Sequence, residues 1–272
     1  MGRRWALGGR GAVGVPLVVL FAFAAVAGPW LAPYAPQAID LAHDLAGPSR
    51  AHPLGTADNG VDVLSVLLVG ARLAGVVSVT TVAFCATVGA LLGGGAAFVG
   101  GRVAAAVARV TDAAQSFPSI VVNMAVLALV SRPGVGHLIA ALSVTGWVGY
   151  ARVARAEVLR LQDREFVTAA RALGASPGRV FFRHVLPNAM GPLWVQATFG
   201  LGATVLAEAA LSFLGLGPGA AASWGALLDQ GTAHLLRTPR LAVVAGCAIT
   251  ATVLGFNLTG DWLRDRLDPR GE

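Results

Sequence analysis

The chain has 272 residues, of which 56% are hydrophobic and 12% are charged, and its formal net charge is +6. Soluble domains carry about 25% charged residues, so this composition excludes an ordinary water-soluble enzyme. All 20 basic residues are arginine. Without lysine the chain cannot form a GxxxxGK[ST] phosphate-binding loop, a lysine Schiff base or a serine–lysine dyad.

Long uncharged gaps between the charged residues predict membrane-spanning helices. A helix of about 20 residues, at about 1.5 Å each, crosses about 30 Å of hydrocarbon. We therefore expect an all-α polytopic membrane protein with six transmembrane helices. The expected spans are 13–32, 73–99, 103–130, 137–153, 191–214 and 241–260. Pro118 is expected to kink the third span or to begin its embedded part. The stretch 209–228 is interrupted by glycines and Pro218, so it indicates a helix end, a turn and a short interfacial segment.

The arginines predict the orientation of these spans. With the N-terminus inside, five arginines fall on the outer side and the other fifteen on the inner side. The outer five are Arg50, Arg72, Arg132, Arg237 and Arg240. This bias follows the positive-inside rule and places both termini in the cytoplasm. The basic character is thus explained by topology and does not indicate nucleic-acid binding.

Sites of covalent chemistry or metal binding are not indicated. The five histidines show no i, i+4 pair and no cysteine or carboxylate at a ligand spacing, so we expect no metal site. Residues 174–178 read GASPG and fit the GxSxG nucleophile motif, which requires a strand before the serine. Ser176 followed by Pro177 is instead typical of a helix start. We expect no catalytic residue.

The inner segment 152–187 predicts three short helical pieces. The fourth span continues to about residue 161, and Asp163 is expected to cap a second helix. In that helix Phe166, Ala169, Ala170 and Leu173 form one apolar face, and Gly174 ends it. A third helix is expected from Ser176 to about 186–188. The segment holds seven arginines against three acids, and two roles stay open: docking into a groove of another protein, or a connector attracted to anionic lipid.

Glu208 is the acid that lies well inside an apolar stretch. An ionisable group at such depth is a candidate for the translocation path. The alternative is a structural hydrogen-bond partner near the outer end of the fifth span.

Motifs along nearly the whole chain carry a family resemblance. The segment 165–174, EFVTAARALG, followed by HVLPN at 184–188, resembles the EAA loop of permease subunits in bacterial ABC importers. Residues 196–202 (QATFGLG), 206–217 (LAEAALSFLGLG) and 52–56 (HPLGT) are similar to the second, C-type permease of the dipeptide/oligopeptide/nickel family. Two positions depart from that pattern: Thr168 replaces the glutamate that names the EAA motif, and Val61 replaces an arginine.

The resemblance implies a type I ABC importer permease fold and a division of the chain into parts. Residues 1–72 would hold the cytoplasmic N-terminus, the first span and an outer segment. Residues 73–260 would form a core with five spans and the coupling loop 152–187, and residues 261–272 a cytoplasmic tail. The ATPase-coupling residues implied by the motif are Glu165, Thr168, Ala169, Ala170, Gly174, Leu186 and Pro187.

The resemblance also implies the partners. These are a homologous second permease in a heterodimer, two ATP-binding subunits that hold ATP and Mg, an extracytoplasmic solute-binding protein and the lipid bilayer of the bacterial inner membrane. This chain would hold no cofactor and would perform no covalent chemistry. Peptides are the expected cargo, with nickel or metal chelates as the alternative. Two functions of other classes stay open: an ATP-independent secondary transporter and a membrane-embedded hydrolase.

Overall fold

The computed structural model describes residues 9–219 and 222–267, and this part of the chain is built from helices. The helices are α1 (Gly9–Leu31), α2 (Val63–Val99), α3 (Gly101–Gln115), α4 (Ser119–Ala128), α5 (Val135–Leu161), α6 (Glu165–Ala172), α7 (Pro177–Phe213), α8 (Trp224–Ala233) and α9 (Arg240–Leu267). Two helical turns, Leu41–His43 and Asp58–Gly60, lie in the segment between α1 and α2. The all-α prediction is confirmed.

Four of these helices are long and apolar enough to cross a membrane. They are α1, α2, α7 and α9, with 23, 37, 37 and 28 residues. They correspond to the first, second, fifth and sixth expected spans and confirm a multi-pass membrane protein. The helix end and turn expected over 209–228 are also present, because α7 ends at Phe213. The short segment expected after the turn is the helix α8, which begins at Trp224.

The expected third span is wrong as a single helix. It is divided into α3 and α4, and Pro118 is the residue that precedes the first turn of α4. A proline lacks the backbone N–H that a continuous helix needs, so the break falls where the sequence indicated. With 10 residues, α4 is about 15 Å long and is half of what a crossing requires.

The predicted continuation of the fourth span to about residue 161 is confirmed. Helix α5 has 27 residues and runs through the boundary at residue 153 to Leu161. Its apolar part comes first, and its C-terminal part carries charged residues such as Arg152, Arg155 and Arg160.

The expected break at residues 186–188 is also wrong, because one helix runs from Pro177 to Phe213. A π-helical turn at Phe181–Val185 ends two residues before Pro187. Such a turn interrupts the regular i to i−4 hydrogen bonds, so a proline just after it breaks few bonds. The coupling segment is therefore continuous with the fifth span.

Glycines set the closest helix contacts. A Cβ at Gly89 would lie 2.6 Å from the carbonyl oxygen of Trp147, and one at Gly93 would collide with the backbone of Ala151. The absence of a side chain at these two positions therefore lets α2 pack closely against α5.

Contacts between helix ends show which of them lie at the same end of the protein. Arg10 at the start of α1 lies 3.9 Å from Asp261 and Asp265 near the end of α9. At the opposite end Arg240 donates to the carbonyl oxygen of Ala46 at 2.6 Å. The first residue of α9 therefore lies with the segment that joins α1 to α2. Arg3, Arg4 and Arg270, three of the inner arginines, and residues 268–272 of the tail lie outside the described residues.

Candidate functional site

The loop between α5 and α7 holds a helix that is bounded by clear turn signals. Gly174 has φ +80°, and the N–H of Ala175 donates to the carbonyl of Ala170 at 3.1 Å. This is the glycine-terminated helix end that the sequence predicted. The hydroxyl of Ser176 accepts from the N–H of Arg179 at 3.4 Å, so the predicted helix start is also confirmed.

The predicted cap at Asp163 is wrong. The residue that precedes α6 is Arg164, which makes no side-chain cap hydrogen bond. Its backbone N–H donates to the carbonyl of Leu161 at 3.1 Å. This tight turn places the start of α6 one residue later than expected, so the carboxylate of Asp163 is not in the capping position.

Helix α6 has two apolar faces rather than one. Val167 and Ala170, at 0% and 8% exposure, pack into the protein. Their cluster contains Ala97, Val158, Leu161, Val180, Phe181, Val185 and Ala189. Of the predicted face, Ala170 is therefore buried, whereas Phe166, Ala169 and Leu173 point outward. The prediction missed Val167, which anchors the helix.

We call Phe166, Ala169 and Leu173 the docking face. Leu173 is 89% exposed and Phe166 40% exposed. An exposed apolar patch on a rigid helix is typical of a protein contact. The motif residues Glu165, Thr168, Gly174 and Pro187 are exposed as well, and Leu186 is half-buried beneath them against the core.

Glu208 is almost completely buried, at 1% exposure. Its Oε1 accepts from the hydroxyl of Ser212 at 2.8 Å and from that of Ser223 at 2.9 Å. Ser223 precedes the first residue of α8 and also accepts from the N–H of Gly225. The carboxyl group therefore ties α7 to α8, which favours the structural alternative.

An open cavity of about 480 Å³ is lined by residues of α2, α3, α4, α5 and α7. Its polar lining consists of Thr81, Cys85, Gln115, Ser119, Asn123, Thr145, Tyr150, Gln196 and Thr204. Within the described part of the chain none of the lining residues is charged, and the Tyr150 hydroxyl has no hydrogen-bond partner there. These residues come from distant parts of the sequence and share no spacing, so sequence patterns did not indicate them. Hydroxyl and amide groups around such a space can bind a polar, uncharged group.

A second group of polar residues lies between α1 and α2. One donor atom of each of Asp40, His43 and His52 lies within 4.8 Å of the others. His43 Nδ1 is 2.8 Å from Asp40 Oδ2, and this hydrogen bond lowers the pKa of the Asp40 carboxyl. The sequence prediction found no ligand spacing here. It overlooked that Asp40 and His43 are at positions i and i+3, a spacing that can bring two side chains together.

Comparison with known proteins gives consistent matches. Residues 86–271 match the family model described as "Binding-protein-dependent transport system inner membrane component". The chain is 37% identical over 261 residues to the oligopeptide transport system permease protein OppC of Bacillus subtilis, covering 95% of this chain and 85% of that protein. It is also 37% identical to the nickel transport system permease protein NikC of Escherichia coli, covering 93% of this chain and 91% of that protein. A third relative, the probable D,D-dipeptide transport system permease protein DdpC of Escherichia coli, is 37% identical over 93% of this chain and 85% of its own length.

Proposed function

The chain belongs to the family of binding-protein-dependent transport system inner membrane components, and on this premise we propose that it forms half of a translocation path for peptides. Separate ATPase subunits drive the transport. It is a membrane component of an ABC transport system and not itself an enzyme. The observation that carries the proposal is the docking face on α6, which no part of the described chain covers.

Coupling to an ATPase is supported by how α6 is held. Val167 and Ala170 fix it to the core, and α7 runs without a break from the loop through the π-helical turn into the fifth span. A push on the docking face would therefore be transmitted to a membrane-crossing helix as rigid motion. The lysine-free sequence agrees with ATP and Mg being bound by the partners, because this chain cannot form a lysine-containing phosphate loop.

The translocation path is proposed to run through the cavity beside α7. The cavity is only partly enclosed by this chain, as expected if a homologous second permease completes it in a heterodimer. Glu208 is not among the residues that line it. We therefore assign the path to the neutral polar residues and keep Glu208 as a structural group.

A peptide cargo is supported by the chemistry of the lining. Hydroxyl and amide side chains pair with backbone N–H and C=O groups of a peptide without requiring a charge. A bare Ni²⁺ ion would prefer imidazole ligands, and the lining formed by the described residues contains one thiol and no imidazole or carboxylate. Relatives include peptide and nickel permeases, so nickel remains the alternative cargo.

The placement in the inner membrane, with both termini in the cytoplasm, is likewise a proposal. It is supported by the pairing of Arg10 with Asp261 and Asp265, which puts both ends of the described chain on one side. The coupling loop lies on that side too, because a Cβ at Gly191, just beyond it, would be 4.0 Å from Leu267 Cδ1. An extracytoplasmic solute-binding protein would then dock at the opposite end.

Co-purification tests this proposal. The full chain, tagged and extracted in mild detergent from its native membrane, should retain a nucleotide-binding subunit, a second permease and, with peptide present, a solute-binding protein. A chain that is purified alone and moves solute in response to an ion gradient would show a secondary transporter instead.

A further inference from the structure

We propose that Asp40, His43 and His52 bind a divalent transition-metal ion of the zinc type on the outer end of the protein. The observation that carries this inference is the convergence of two imidazoles and one carboxylate, with one donor atom of each within 4.8 Å of the others. The site is separate from the cavity and from the docking face.

His52 is oriented for metal binding by a buried carboxylate. Its Nδ1 lies 2.9 Å from Asp62 Oδ1, and both residues are buried, at 7% and 2% exposure. The other oxygen of Asp62 accepts from the N–H and the hydroxyl of Ser65, at 2.8 and 2.7 Å. A carboxylate held in this way accepts the Nδ1–H of the imidazole and leaves Nε2 with a free lone pair. This carboxylate–histidine arrangement is the usual support of a metal-ligating histidine.

The remaining two ligands are accessible and able to adjust. His43 and Asp40 have side-chain exposures of 57% and 48%. The distance of 2.8 Å between His43 Nδ1 and Asp40 Oδ2 shows that both side chains already point to the same place. A small rearrangement of these two exposed side chains would bring the ligand atoms of all three residues to within ~2.0–2.2 Å of a bound zinc ion, the usual zinc–ligand distance.

The surroundings fix the backbone that carries the ligands. The hydroxyl of Thr56 donates to the carbonyl oxygen of His43, and the ring of Tyr34 lies 4.8 Å from that of His52. Arg240 brings a positive charge to the same segment, but its N–H groups are directed at backbone carbonyls, including those of Ala46 and Thr56. The segment is thus ordered before an ion arrives.

Three protein ligands of this type suit a borderline ion such as Zn²⁺ and leave a coordination position for water. Neither the proposed cargo nor the proposed coupling depends on this ion. A negative result here would leave the permease assignment unchanged.

The test is binding of Zn²⁺ alone to the full chain. The protein is purified in detergent with a tag that contains no histidine, stripped with a chelator and dialysed against Zn²⁺, and bound metal is measured by mass spectrometry. Wild-type protein should bind one Zn²⁺ per chain. His43→Gln and, independently, Asp40→Asn should each weaken binding by at least about tenfold. Thermal unfolding in chelator verifies that both variants fold.

His234→Gln is the matched control. His234 lies at the same end of the protein and also pairs with an aspartate, with Nε2 2.8 Å from Asp58 Oδ1. This variant should bind Zn²⁺ like the wild type. The inference is overturned if the wild type binds no stoichiometric Zn²⁺, if the two ligand variants bind it unchanged, or if His234→Gln weakens binding as much as they do.

Discussion

The carboxyl oxygen of Glu208 lies 2.9 Å from the hydroxyl of Ser223, and this hydrogen bond links α7 to the start of α8. A second hydrogen bond, from Ser212, reaches the same oxygen. A buried acid in a membrane helix is first considered as a transport residue. Here the carboxyl group accepts hydrogen bonds from two hydroxyl groups of the same chain, so we expect Glu208 to stabilise the fold.

Glu208→Ala is expected to destabilise the protein by about 1–3 kcal/mol, because two buried hydroxyls lose their acceptor. Glu208→Gln keeps an acceptor oxygen in place and should leave peptide uptake within about twofold of wild type, a change of less than ~0.5 kcal/mol. Thermal unfolding and uptake are measured on the same preparations. Loss of uptake in a Glu208→Gln protein of normal stability would place this residue in the path.

The docking face predicts a selective loss of assembly. Leu173→Glu puts a charge into an apolar contact and should abolish co-purification of the ATPase subunit. The chain itself should remain stable, because Leu173 is 89% exposed. Leu236→Glu is the matched control, since Leu236 is fully exposed at the other end of the protein. Equal retention of the ATPase by both variants would rule out the docking face.

Gly174→Leu should uncouple ATP hydrolysis from transport. The left-handed conformation that Gly174 occupies costs a residue with a Cβ roughly 1–2 kcal/mol of conformational free energy. A leucine there also adds bulk beside the docking face. The cost does not come from a clash inside the chain, because no atom of the residues that the structure describes, apart from the two adjacent residues, lies within 4 Å of a Cβ at this position.

The comparison for Gly174→Leu is Gly178→Leu. Gly178 has equally open surroundings and no left-handed φ, so its replacement should leave peptide uptake and ATPase activity close to wild type. Both rates are measured in the assembled complex. Normal peptide uptake by Gly174→Leu would contradict a coupling role for this turn.

The cavity predicts an effect on cargo without an effect on assembly. Gln196→Leu removes a polar group from the lining and should lower peptide uptake by about tenfold, or ~1.4 kcal/mol, while the ATPase still co-purifies. Gln230→Leu, in α8 and away from the cavity, should change uptake little. Equal uptake by the two variants would mean that the peptide does not pass along this surface.

The helices and turns that depend on local signals were predictable from the sequence. Apolar runs marked the four long helices, Gly174 marked a helix end, and Pro118 marked a break. Pro187 misled the prediction, because a π-helical turn just before it lets the helix continue. The anchoring role of Val167 was missed because α6 is apolar on two sides, and only tertiary contacts decide which side is buried.

The candidate sites were predictable to different degrees. The coupling residues lie within one continuous motif, so a family resemblance located them. Gln196 and Thr204 of α7 line the cavity together with Asn123 of α4 only because these two helices, distant in the sequence, lie around the same space. His52 meets Asp40 only through the folding of an irregular segment, and no periodicity describes such a contact.

ATP-driven peptide import is measured as peptide uptake into proteoliposomes that contain this chain with its co-purified partner subunits and solute-binding protein. We predict accumulation of labelled peptide that requires ATP, with Gly174→Leu hydrolysing ATP but importing no peptide. Uptake by the wild-type complex without ATP, driven by an ion gradient, would contradict this prediction.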